Sequence, residues 1–253
     1  PHPQRRVPIV RADPMFVVAG AFRFIDLPAA PLHADEAVGA RITGDRLEGG
    51  KYHFDPSHYH GPSLSWLGAQ AARLAGQKSF AELDAFSLRS ISAVCGLLVV
   101  LLPLILRKWL GDAGALLAGA LLATSPLLCQ FSRVFIHEPV LSVFSACAIA
   151  GLSWWLAGGG LPAALCGGLA LGLMAASKET FGIMAISWLV GLVACKGVTP
   201  IRKVGFAAIS SGVVFLAVLI IAYGSQWDFF KTYFVYSIDP GHHKPWDYYW
   251  HLL

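Results

Sequence analysis

Long apolar stretches separated by short polar breaks dominate this 253-residue chain. Read for hydropathy alone, they fall at Val7–Leu27, Ser87–Leu106, Ala113–Phe131, Pro139–Ala157, Leu161–Ser177, Thr180–Cys195 and Val204–Tyr223. Each is long enough, or nearly so, to carry a helix through about 30 Å of hydrocarbon. The pattern predicts an all-α polytopic membrane protein, a bundle of about seven transmembrane helices. The first stretch is the weakest: Arg11, Asp13, Pro14 and Arg23 interrupt it, and a charge at a helix centre costs roughly 2.5–3.5 kcal/mol on insertion. Between the first two stretches lies a long polar connection, Pro28–Phe86. Within it Ser63–Ala75 reads as an interfacial helix too short to span, with Leu64, Leu67 and Leu74 sharing a face and Gln70 and Arg73 pointing elsewhere.

Composition agrees with the membrane class. Hydrophobic residues make up 56% and charged residues 13%, with a mean hydropathy of +0.60, where soluble domains carry about 25% charged residues. The net charge of +4 is scattered, with no basic stripe to follow a phosphate backbone, so nucleic acid is excluded as a partner and membrane lipids are expected instead. The five cysteines sit in or at the ends of apolar stretches without a CxxC pair, and read as small lipid- or core-facing residues. No short apolar region with a cleavage site follows Pro1, and Trp246–Leu253 resembles the start of another membrane segment. Residues 1–253 are therefore expected to be one transmembrane domain cut from a longer chain, at the C-terminus and also at the N-terminus.

Basic residues in short connections set the expected orientation. Arg5 and Arg6 precede the first stretch, Arg107 and Lys108 follow the second, and Lys196, Arg202 and Lys203 lie between the sixth and seventh. With seven alternating spans all three groups fall on one side, the cytoplasm. Most acidic residues then lie at the extracytoplasmic face, among them Asp35, Glu36, Asp55, Glu138 and Glu179.

Four short segments on that face carry candidate chemistry. His33-Ala34-Asp35-Glu36 places two adjacent carboxylates beside the membrane surface. They either favour a helix N-terminus through its dipole or divide the work of a base and a partner-holding acid. His53-Phe54-Asp55-Pro56-Ser57-His58-Tyr59-His60-Gly61-Pro62 is a constrained loop dense in imidazole and carboxylate. Its side chains suit hydrogen bonding to a substrate or loop packing; a divalent metal held by His53, Asp55, His58 and His60, with His33, His242 or His243, is the sharper alternative. Arg133 and Glu138 flank a short connection and read as interface anchors or site residues. Lys178-Glu179 is either a self-satisfying ion pair or part of a functional site. Asp35, Glu36, Glu138, Arg133 and Lys178 come from separate loops that the topology delivers to one face.

Several of these motifs together resemble the GT-C superfamily of membrane glycosyltransferases. They are Arg23, then His33-Ala34-Asp35-Glu36, the Asp55–Pro62 stretch, Arg89 opening the second span, Arg133 with Glu138-Pro139, and Lys178-Glu179. Within that superfamily the chain is similar to the dolichyl-phosphate-mannose-protein mannosyltransferases and their flippase-activity-associated branch, to which His242, Pro245, Trp246 and Tyr248-Tyr249 also correspond. The resemblance implies a GT-C-like bundle with a large first extracytoplasmic loop. It further implies inverting transfer of a sugar from a polyprenyl-phosphate donor to a protein, glycan or lipid acceptor. By position it makes Asp35 the base on the acceptor hydroxyl and Glu36 and Glu138 supporting acids. Arg133 and Lys178 would face the carrier phosphate, with Glu179, Asp55, His58 and His60 on the substrate. A non-enzymatic lipid-sugar flippase accessory or transporter, and a metal-dependent membrane hydrolase, are the alternatives.

Overall fold

The computed structural model describes residues 13–54, 60–194, 201–224 and 226, and every regular element among them is helical. Helices α1 (Asp13–Phe24), α4 (Ala85–Ile105), α5 (Arg107–Thr124), α6 (Pro126–Phe131), α7 (His137–Trp154), α8 (Gly160–Ala175), α9 (Phe181–Ala194) and α10 (Ile201–Tyr223) fall on the seven apolar stretches. Helices α2 (Ala34–Leu47) and α3 (Ser63–Leu74) occupy the long first connection. Two helical runs, Ala85–Ile105 and His137–Ala175, are long and apolar enough to cross a bilayer. The second is a hairpin: Gly158 (φ 95°) and Gly160 (φ 60°) adopt the left-handed conformation that glycine reaches without a side-chain clash. Leu141, Ala148, Ala170 and Met174 then pack across it as a shared core. Large aliphatic side chains on α1, α5, α9 and α10 point outward, a surface suited to lipid and not to water.

The third apolar stretch is not one helix. Pro126 has no N–H, so Leu122 O loses its helical donor, and Ser125 instead caps a new helix by accepting from Leu128 N at 3.4 Å. Arg23 from α1 fills the gap, donating through Nη2 to Leu122 O (3.2 Å) and through Nη1 to Ala123 O (3.1 Å). The charge that weakens the first stretch in the sequence is thus fully buried where a broken helix needs a donor.

In the first loop, Ser63–Leu74 is helical, as expected, and Leu64 and Leu74 differ in burial although hydropathy groups them on one face. Leu64, Ser65, Gly68, Ala69 and Ala72 are buried, while Leu74 is 90% exposed. The small residues let α3 approach Phe135, whose ring lies against both Gly68 and Gly39 of α2. Ala40, Leu64, Leu88, Phe135 and Val140 form the resulting core, which fixes the loop on the ends of α4 and α7. On the other side of the bundle α8 and α10 touch closely: a Cβ on Gly168 would lie 2.4 Å from Ser211 O, so only glycine admits that crossing.

Candidate active site

Where the first loop meets the ends of α4, α7 and α8, the fold leaves a cavity of about 560 Å³. Asp35, Glu36, Arg133, Glu138, Lys178 and His60 all line it. The five residues expected to share a face, Asp35, Glu36, Arg133, Glu138 and Lys178, thus line one cavity, and His60 joins them. Glu179 joins through His60. Asp55 and His58, like His242 and His243, lie outside the described residues.

The two adjacent acids have opposite environments. His33 caps α2, its Nδ1 accepting from Asp35 N (3.3 Å) while Glu36 Oε2 accepts from His33 N (2.9 Å), a reciprocal capping box. Glu36 then turns inward and is 1% exposed. Arg89 grips it with Nε to Oε1 at 2.7 Å and Nη2 to Oε2 at 2.8 Å, and Phe135 N adds a bond at 2.8 Å. Burial pushes the Glu36 carboxyl up, but the Arg89 guanidinium and the two backbone donors outweigh it and hold it below the usual glutamate range. The remaining donors of Arg89 reach Leu27 O, Ala30 O and Pro31 O at 2.9–3.0 Å. One buried ion pair therefore ties together the end of α1, the start of α2 and the segment before α7. Asp35, one residue earlier, projects outward with its side chain 78% exposed, its carboxylate 3.7 Å from His33 Nδ1.

The opposite wall is built by the end of α8. Carbonyls at a helix end run out of helical donors, and three at and just beyond the end of α8 find tertiary ones: Ala175 O from the Tyr223 hydroxyl (3.1 Å), Ala176 O from Ser63 N (3.0 Å) and Ser177 O from Gly61 N (3.1 Å). Ser63 Oγ adds a bond to Ser177 Oγ at 2.7 Å. Gly61 must be glycine here, because a Cβ would sit 2.1 Å from Ala176 O. Docked in this way, the loop brings His60 Nδ1 to 2.9 Å from Glu179 Oε2. Burial raises Glu179, but the hydrogen bond and charge of His60, together with Lys178, keep it below the usual range. Lys178 Nζ turns the other way, to Glu138 Oε1 at 2.5 Å, and His137 Nε2 donates to Gly61 O at 3.2 Å.

Arg133 donates to Phe22 O (3.0 Å) and Asp26 O (3.1 Å), closing the end of α1. Both partners are neutral carbonyls, and no carboxylate pairs with it among the described residues, so its charge stays available to the cavity. The cavity thus presents an open carboxylate, Asp35, and an uncompensated cation, Arg133, beside two internally neutralised pairs. Among the described residues no group of three or more His, Cys, Asp or Glu side chains gathers as a metal site. Sequence reasoning had no role for His137 or Tyr223, and saw Arg89 only as part of a motif. The signal for Arg89 was a lone arginine in an apolar stretch, which needs a buried partner.

These features define a helical membrane protein whose reactive side chains are gathered in a cavity at one end of the bundle. Residues 59–223 match the family model for dolichyl-phosphate-mannose-protein mannosyltransferases. The fold is similar to the S. cerevisiae protein O-mannosyltransferase Pmt1–Pmt2 complex bound to the sugar donor, with a TM-score of 0.58 over 92% of this chain at 18% identity. The chain spans 34% of that protein's length. A search of curated protein sequences found no match. The chain belongs to the dolichyl-phosphate-mannose-protein mannosyltransferase family, as its motifs imply.

Proposed function

We propose that this protein is an inverting glycosyltransferase that moves a hexosyl or pentosyl group from a polyprenyl-phosphate carrier to an extracytoplasmic protein, glycan or lipid hydroxyl. The observation that carries the reading is the contrast between Asp35 and Glu36. Every strong acceptor site on Glu36 is committed to Arg89, His33 and Phe135, whereas Asp35 is open at the cavity rim. Asp35 takes the acceptor proton as the new glycosidic bond forms, an effect worth on the order of 10²–10⁴-fold. Glu36 acts through position, fixing the start of α2 on which Asp35 rides.

Arg133 and Lys178 receive the carrier phosphate, whose charge grows as the bond to the sugar breaks. Glu138 keeps Lys178 extended toward the cavity. In this reading the seven apolar stretches all cross the bilayer, the N-terminus is cytoplasmic, and the cavity opens on the extracytoplasmic side where a lipid-linked head group emerges. The test is release of polyprenyl phosphate from a polyprenyl-phosphate sugar by the purified full-length protein, with and without a metal chelator. Donor binding without release, in the presence of candidate acceptors, would return the protein to a head-group-binding role.

A further inference from the structure

We propose that His60 is a specificity-determining residue that hydrogen-bonds a hydroxyl of the donor sugar, with Glu179 as the positioning residue behind it. The inference rests on the donor assigned above and adds which part of it this wall reads.

A carboxylate can only accept, so the 2.9 Å contact with Glu179 Oε2 places a proton on His60 Nδ1. The ring is then oriented with its other nitrogen, Nε2, unsatisfied: among the described residues no group bonds it. The side chain lines the cavity and is 37% exposed. Its position is fixed from several sides. The His137 ring packs edge-on at 4.9 Å, the Tyr52 hydroxyl donates to the His60 carbonyl, and Gly61 N is bound to Ser177 O. A ring held by a carboxylate at one nitrogen and open at the other is preorganised to meet a ligand.

The kind of ligand follows from the neighbours. His60 is joined through Glu179 to the residue after Lys178, and through His137 to the residue before Glu138, which holds Lys178 at 2.5 Å. A phosphate on Lys178 therefore places the sugar attached to it next to His60. A hydroxyl suits Nε2 in either protonation state, because it donates to the neutral ring and accepts from the charged one.

The test compares binding of two probes, a short-chain polyprenyl-phosphate mannose and the same polyprenyl phosphate without sugar, to full-length protein in detergent. His60→Asn keeps an amide N–H where Nδ1 bonds Glu179 and removes Nε2. It should weaken the mannosyl probe about tenfold, the scale of one neutral hydrogen bond, and leave the bare phosphate unchanged. Equal weakening of both probes, or no change in either, overturns the assignment. If His60→Asn fails to fold, Glu179→Ala decides: it removes the acceptor that orients Nδ1, so a loss confined to the mannosyl probe supports the contact and any other pattern removes it. Wild-type protein that discriminates the probes through His60 yet never releases polyprenyl phosphate would sink the transferase reading and leave this contact standing. Normal transfer with no discrimination by His60 would do the reverse.

Discussion

Asp35 and Glu36 are neighbours in sequence that the fold separates chemically. Asp35→Asn preserves volume and hydrogen-bonding capacity but removes the basic carboxylate, so sugar transfer should fall at least about a hundredfold while donor binding and the melting temperature stay near wild type. Parallel binding and turnover measurements check this, and near-normal turnover would remove the base assignment. Glu36→Gln should act differently, leaving Arg89 buried without its counter-charge and costing about 3–5 kcal/mol of stability, read from denaturant unfolding in detergent. The pH dependence follows from the same pair. Because the folded-state pKa of Glu36 is lowered, its stabilisation is full above the unfolded value and is lost as pH falls through and below it. Wild-type melting temperature should therefore drop between about pH 7 and about pH 3 by more than that of Glu36→Gln, whose position no longer titrates. A sequence displays both acids but not which is buried. That depends on Arg89, which lies 53 residues away and is brought to Glu36 only by tertiary folding, with α3 packed on both α2 and α4.

Helices were legible because apolar runs of bilayer length are written directly in the chain, and their placement needs no knowledge of partners. What stayed hidden was the contact surface of each. Hydrophobicity groups Leu64, Leu67 and Leu74 on one face of α3, but the close approach of α2 and Phe135 buries the small residues Gly68, Ala69 and Ala72 with Leu64 and leaves Leu74 exposed. The break at Ser125–Pro126 lies inside a stretch of continuous hydropathy and was not read from the sequence, and neither was Arg23 as its donor. The end of α8 carries a prediction of its own. Gly61→Ala forces a methyl against Ala176 O, 2.1 Å away, and should lift the first loop from α8, costing about 1–3 kcal/mol and most of the activity. Gly182→Ala on α9 meets nothing within 4 Å and should be neutral or slightly stabilising, by up to about 1 kcal/mol. Thermal unfolding of the two variants side by side checks both.

At the scale of the whole molecule, the cavity gathers residues from the first loop through the connection between α8 and α9 at one end of the bundle, while Arg107 begins α5 at the far end of α4. Single cysteines at Lys51 and Arg107, in a background with the native cysteines replaced, should therefore react with an impermeant reagent from opposite sides of sealed membranes. Labelling of both from one side would overturn the topology on which the proposed sidedness depends. The tertiary donors at the end of α8 have a further consequence for biosynthesis. Gly61 and Ser63 emerge early from the ribosome, but the carbonyls they bind at Ala176 and Ser177 follow more than a hundred residues later, and the Tyr223 hydroxyl that completes the set belongs to the last residue of α10. The first loop can pack on α4 and α7 as soon as these are made, but its contacts with the end of α8 form only after that helix has followed. The wall bearing His60 and Lys178 is thus finished late in synthesis, and a chain arrested before residue 223 carries Asp35, Glu36, Glu138 and Glu179 but lacks the hydroxyl that closes the end of α8.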